Sequence, residues 1–239
     1  EMVVEESASA AAAPAAAHKQ FWLPLESNPE MLNEFASKIG AGEAFAFHDV
    51  FGLDDELLAM VPRPCAAVTL LFPSSRLKDA KAAQLRELEE KAYAPDDGIF
   101  FIKQFVGNAC GTIAAMHALA NNTFLVGEGT DLASFVAANK ELAPAERGTN
   151  LAAAGFVRTA TTSSAQGGQT ETPELGDDVD HHFITFISHA GSVYELDGSK
   201  PYPINHGPCG DDLLAAVAEV IKSRFIAVAP DGLFNVMGL

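Results

Sequence analysis

The sequence predicts a single α/β domain, with a central, mostly antiparallel β-sheet flanked by helices on both sides. Three observations carry that reading. Phe183–Ile187 and Val193–Leu196 are β-rich runs separated by Ala190-Gly191, the pattern of a hairpin. Cys65–Phe72 is almost continuously apolar, as a strand covered on both faces must be. Segments of helical period alternate with these runs, and 239 residues at 48% hydrophobic content suffice for one large core.

Along the chain, residues 1–18 form a low-complexity extension rich in Ala and Ser, to which no chemistry is assigned. Ser27-Asn-Pro29 caps a helix that runs to Ile39 and stops at Gly40, with Met31, Leu32, Phe35 and Ile39 as its buried stripe. Phe45–Phe51 reads as a strand carrying Asp49, and Leu53–Val61 as a short helix opened by Asp54-Asp55. Cys65 reads as core. Lys78–Lys91 is a charged helix with Leu85 and Leu88 as a buried edge. Pro95-Asp-Asp-Gly98 is a turn, and Ile99–Gln104 a strand that delivers the chain to the next helix.

That helix begins at a cysteine. In Gln104-Phe-Val-Gly-Asn-Ala-Cys110, Asn108 or Ala109 takes the cap position; Ile113, Met116 and Ala120 follow at helical spacing, and Asn121-Asn122 stop the helix. A thiol at a helix N-terminus sees the positive end of the macrodipole, which favours thiolate. Gln104, six residues upstream, can fold back to donate its amide N–H to an oxyanion. Alone, the same pattern also suits a buried structural cysteine.

The hairpin adds the other half of the chemistry. If Ala190-Gly191 is a two-residue turn, Asp197 lies opposite Ile184, and His182 is one diagonal step away on the same face. An odd-length turn would reverse the parity and select His181. Cysteine, histidine and an orienting aspartate are the constellation of a thiol hydrolase. His117 lies seven residues past Cys110, roughly 10 Å along the helix, too far for a proton relay, and reads as structural. His18, His48, His189 and His206 have no such constellation around them, and His189 reads as solvated.

Farther on, Asp131–Leu142 and Ala145–Gly155 are helices. Thr159–Asp178 is almost without apolar residues and reads as a loop of roughly 20 residues, unusual inside a compact domain. Ser199–Gly207 is an extended connection and Cys209 an exposed loop thiol. Asp211 caps a helix to about Lys222, and Leu233–Met237 closes the sheet.

With these motifs in place, the chain resembles the ubiquitin C-terminal hydrolases, a family of cysteine peptidases, and in particular their small single-domain members. The resemblance rests on Gln104…Asn-Ala-Cys110-Gly-Thr, Asp180-His-His182-Phe, and Tyr-Glu-Leu-Asp197-Gly, with Trp22-Leu-Pro-Leu-Glu26, Met60-Val-Pro-Arg-Pro64 and Pro203-Ile-Asn-His-Gly207 as further blocks in family order. It implies a papain-like catalytic domain over 19–239 with a knotted backbone. It implies Cys110 as nucleophile, His182 as general acid and base, Asp197 as the residue orienting it, and Gln104 in the oxyanion site. Asp49 borders the region expected to meet ubiquitin. The segment at about 159–179 would be a crossover loop arching over the cleft, admitting a threaded tail and favouring small or unfolded leaving groups. The implied partner is ubiquitin, with the related modifier NEDD8 as a second candidate, acted on by a monomer that needs no metal or cofactor.

Charge and cysteine usage agree with this. A net charge of −17 argues against nucleic acid and suits a basic protein partner. Three scattered cysteines, without metal spacing or a secretion signal, fit a reducing compartment, cytoplasmic or nuclear. No apolar run approaches the ~20 residues of a membrane helix.

Overall fold

The computed structural model describes residues 20–168 and 180–239. The extension 1–18 and most of the expected crossover loop lie outside the described residues.

Asn28 caps α1 (Pro29–Ile39) through a hydrogen bond to the Met31 N–H, and Gly40 ends it with a left-handed φ of 112°. Then follow β1 (His48–Asp49), α2 (Asp55–Leu58), β2 (Ala67–Pro73), α3 (Ser74–Glu90) and α4 (Cys110–Ala120). Next come α5 (Asp131–Asn139), α6 (Pro144–Ala153), α7 (Gly155–Ala165), β3 (His181–His189), β4 (Ser192–Leu196), β5 (Ile204–Pro208), α8 (Leu213–Ile221) and β6 (Asn235–Gly238). The strands form one sheet in the order β1-β6-β2-β3-β4-β5, and every neighbouring pair is antiparallel.

The apolar run of β2 sits at the sheet centre beside β3, and its side chains divide between two cores. Val68, Leu70 and Phe72 join Ile184, Phe186 and α8 on one face. Ala67 and Leu71 join Phe183, Ile187 and the α1, α4–α7 layer on the other. Helix α4 is enclosed nearly all round, with every residue from Gly111 to Ala120 buried. That goes beyond the three-residue stripe its sequence suggests. Close approach is tightest at Gly111, where a Cβ would lie 3.2 Å from Leu25 Cβ and 3.3 Å from the Phe183 ring.

Several elements depart from expectation. Residues 99–104 form no strand and pair with none among the described residues. Side chains and loops satisfy them instead. Ile102 N–H donates to His117 Nε2 (2.9 Å), Asn121 bonds both the N–H and the C=O of Phe100, and Arg147 donates to the Ile99 and Phe101 carbonyls. Close approach helps: a Cβ on Gly148 would lie 2.1 Å from the Lys103 carbonyl. Strand β1 is two residues rather than seven: His48 and Asp49 are registered on β6, and beyond them the Val50 N–H adds one bond to the Val236 carbonyl (2.9 Å). Residues 159–165 of the expected loop are helical. Helix α7 buries Val157, Ala160, Thr161, Ser164 and Ala165, and the Thr161 hydroxyl is satisfied by Thr112 at 3.0 Å. A buried face built from Ala, Ser and Thr gives no strong apolar period.

Smaller differences follow the same logic. Residues 204–208 form β5, registered on β4. Asp212, not Asp211, caps α8, which ends at Ile221 in a π-helical turn over Lys222–Ile226. Leu77, not Leu85 or Leu88, is the buried residue of α3. Cys209 is buried. His189 pairs with Asp96 at 3.2 Å and His206 with Glu195 at 2.8 Å.

Candidate active site

Ala190 and Gly191 both have positive φ (48° and 76°), so the hairpin turn holds two residues and the parity is even. Thr185 pairs with Leu196, and the next step places Ile184 opposite Asp197. His182 and Asp197 therefore share a face, and His182 Nε2 meets Asp197 Oδ1 at 2.7 Å. Asp197 is 1% exposed and His182 14%.

Helix α4 lies on the opposite face, where Thr185 Oγ1 donates to the Ala114 carbonyl (2.7 Å). Its N-terminus comes up to the start of β3. There the half-buried thiol of Cys110 hydrogen-bonds with His182 and with backbone at Phe183 and Gly111. Since Nε2 faces Asp197, Nδ1 is the ring nitrogen left for the sulfur. Sulfur, imidazole and carboxylate thus form one hydrogen-bonded line across two elements.

Electrostatics favour an ion pair at its head. Burial pushes the Cys110 thiol up, but its hydrogen bonds and the His182 charge outweigh that and lower it. Burial opposes charge on His182 too, yet Asp197 and then Cys110 hold the imidazole up at about 10. Asp197 is held well below the usual carboxylate range, because His182, Lys81 and Lys200 outweigh its burial. Cys65 shows the contrast: burial pushes it up to about 11, with no imidazole to reverse the effect.

Gln104 is anchored by its backbone, whose N–H donates to the Gly198 carbonyl (2.9 Å) directly after Asp197. Gly198 allows this contact; a Cβ there would sit 3.1 Å from both Gln104 Cβ and Ile113 Cγ2. The Gln104 side chain donates one N–H to the Val106 carbonyl at 3.1 Å, leaving the second N–H for a ligand. Gln104, His182 and Asp197 all line a cavity of about 540 Å³. Asp49 lies apart from this group, on edge strand β1, three places from β3 in the sheet.

Two residues near the site, Lys81 and Ser199, escape sequence reasoning, and a third, His117, plays the structural role expected of it. Lys81 of α3 donates to Asp197 Oδ2 at 3.0 Å, although its helix reads as a solvated charged face. Ser199 donates its N–H and hydroxyl to Asp197 Oδ1. His117 ties α4 to the segment that carries Gln104. Only His117 leaves a sequence signal, a histidine on an otherwise apolar helix.

Comparison with known proteins places this arrangement. The family model described as ubiquitin carboxyl-terminal hydrolase, family 1, matches residues 22–226. A ubiquitin carboxyl-terminal hydrolase of Aplysia californica is 40% identical over 218 residues, 90% of this chain and 99% of its own length. A probable ubiquitin carboxyl-terminal hydrolase of Dictyostelium discoideum is 37% identical over 222 residues, 91% of this chain and 87% of its own. Among solved structures, the catalytic domain of Trichinella spiralis UCH37 bound to ubiquitin vinyl methyl ester superposes with a TM-score of 0.68 at 23% identity, covering 91% of this chain and 94% of that one. That likeness concerns the papain-like α/β fold. A family match over most of the chain, with relatives at this identity along nearly their whole length, means that the chain belongs to family 1 of the ubiquitin carboxyl-terminal hydrolases, which are cysteine peptidases.

Proposed function

We propose that this protein hydrolyses the bond following the C-terminal glycine of ubiquitin. The observation that carries the proposal is the continuous contact from Cys110 through His182 to Asp197. Cys110 attacks the carbonyl carbon as thiolate. Gln104 and the Cys110 backbone N–H stabilise the tetrahedral oxyanion. His182, protonated in the ion pair, gives its proton to the leaving amine or thiol as the C–N or C–S bond breaks. It then takes a proton from water, which attacks the thioester and releases ubiquitin with the thiol restored. Asp197 keeps the imidazole in one orientation throughout.

The solved relative in complex with a ubiquitin ester supports ubiquitin as the partner. Asp49 is offered as a contact for a basic residue of ubiquitin. A crossover strap over about 159–179 would restrict leaving groups to small or unfolded ones, and a reducing compartment suits the free thiol. Among the described residues, no helix is long and apolar enough to cross a membrane.

Hydrolysis of a ubiquitin C-terminal coumarin amide tests the proposal. Wild type should turn it over, and Cys110→Ala should bind ubiquitin without turnover. Tight binding by wild type with no hydrolysis, and no adduct with a ubiquitin vinyl ester, would instead indicate a silent binding module. Casein cleavage at a comparable rate would indicate a general endopeptidase. The NEDD8 coumarin amide in parallel measures modifier preference.

A further inference from the structure

Asp197 is enclosed, and both of its oxygens are committed. Oδ1 takes His182 Nε2 (2.7 Å), the Ser199 N–H (2.9 Å) and the Ser199 hydroxyl. Oδ2 is met by one cation from another element, Lys81 Nζ of α3, at 3.0 Å. Lys81 Nζ also bonds Ser199 Oγ, so it touches the groups on both sides of the carboxylate. Lys81 is 31% exposed while Asp197 is 1% exposed. This is not the loose surface ion pair whose contribution is close to nothing. One partner is a buried charge that needs compensation.

We propose that Lys81 is a positioning residue of this site: it holds the second oxygen of Asp197 and so fixes the plane in which the first oxygen meets His182. Without it, Oδ2 would lose its only direct cation among the described residues, and the carboxylate could rotate away from the ring. The other charges around Asp197 cannot replace it. Lys200 Nζ is tied to Glu195 and to Gln84. Lys103 Nζ is tied to the Lys200 carbonyl. His117, on α4, is held neutral by burial, its pKa lowered to about 3. His182 itself is the group being oriented.

The charge has a second effect, with a fixed sign at the thiol. A cation beside the site favours thiolate, so removing it raises the pH at which Cys110 loses its proton, and a carboxylate turned away from His182 raises it further by weakening the imidazolium that lowers the thiol. The acid limb of the pH profile then moves up, whereas on the alkaline limb the lost cation and the turned carboxylate act on His182 in opposite directions. Simple loosening of the fold would lower the rate at every pH without moving either limb.

The inference rests on Cys110 being the nucleophile, and the test separates the two. In the full chain, Lys81→Met and Lys81→Arg are compared with wild type by two readouts. One is kcat/KM on the ubiquitin coumarin amide across pH; the other is peptide-resolved alkylation of Cys110 by iodoacetamide, which needs no ubiquitin. For Lys81→Met the acid limb of kcat/KM and the alkylation midpoint should rise by about half to one pH unit. Its kcat should fall roughly 3- to 30-fold, part of what proton transfer contributes, with KM unchanged. Lys81→Arg should keep the wild-type limbs. A Lys81→Met profile that superposes on wild type, or Lys81→Arg moving as far as Lys81→Met, overturns the inference. If wild type does not hydrolyse the ubiquitin substrate, the proposed function fails while alkylation still decides the role of Lys81. Should Lys81→Met not fold, Lys81→Gln carries the same comparison.

Discussion

His117 makes a quantitative test of how the site is held. It is fully buried, its Nε2 accepts the Ile102 N–H at 2.9 Å, and its ring stacks on Phe101 with centroids 5.2 Å apart. Burial lowers its pKa from 6.5 to about 3. Its contribution to stability is therefore complete above pH 6.5 and is lost as pH falls toward 3. Between pH 7 and 5 the unfolded imidazole goes from about a quarter protonated to almost fully protonated, while the folded one takes up almost no proton. At 1.36 kcal/mol per pH unit, and allowing for partial protonation at the upper end, this amounts to about 2 kcal/mol. His182 works in the opposite sense: its folded pKa is raised, so its contribution is complete below 6.5 and lost as pH rises toward 10. Between pH 7 and 5 the His182 gain, about 1 kcal/mol, offsets part of the His117 loss, so only the difference between variants isolates His117. His117→Leu orphans the Ile102 N–H, at about 1–3 kcal/mol, and loses the ring stacking, at about 0.5–1.5 kcal/mol. The expected loss at pH 7 is about 2–4 kcal/mol, shrinking by about 2 at pH 5. His117→Gln keeps an acceptor near the Nε2 position and should cost about 1 kcal/mol at pH 7, with the same shrinkage. Urea unfolding at the two pH values, followed by the fluorescence of Trp22, reads both quantities. Equal destabilisation at pH 7 and pH 5, or a glutamine as costly as the leucine, would refute the reasoning.

Gln104→Ala should reduce kcat on ubiquitin coumarin amide by about 10²–10³ with little change in KM, since the role proposed for the amide is at the oxyanion rather than at the bound substrate. Asp197→Asn should reduce kcat by about 10³–10⁴ and move the alkaline limb of kcat/KM to lower pH, because the Asp197 charge is what holds His182 up. Glu195 is buried, and Lys200 and His206 outweigh that burial to hold it down at about 2, so its contribution is complete above pH 4.5 and lost as pH falls toward 2. Glu195→Gln leaves buried Lys200 without its directly paired carboxylate and should cost about 3–5 kcal/mol at pH 7, with the gap to wild type closing below pH 4.5 in acid unfolding curves.

The backbone of the site was legible in the residues themselves. A two-residue turn at Ala190-Gly191 is a local matter, decided by which residues tolerate positive φ, and period-2 alternation then carries parity from the turn to His182 and Asp197. The start of α4 at Cys110 was equally local, as were Asn28 and Gly40 at the ends of α1. Composition placed β2 at the sheet centre because its run is apolar on both faces. Other elements could not be read this way. Ile99–Gln104 has the residues of a strand, yet its hydrogen bonds go to His117, Asn121 and Arg147. Residues 159–165 have the composition of a loop, yet pack as a helix through small side chains.

Sequence alone thus decided the chemistry on offer: a thiol at a helix start, an imidazole and a carboxylate in register on a hairpin, and an amide upstream. Each of those depends on neighbours within a turn or a strand, where backbone geometry is periodic and can be counted. Only the tertiary structure decided what holds these groups in place. Lys81 reaches Asp197 from 116 residues away, and Arg147 reaches Ile99 from 48. Such partners follow from how helices and sheet pack in three dimensions, and no local period encodes that packing.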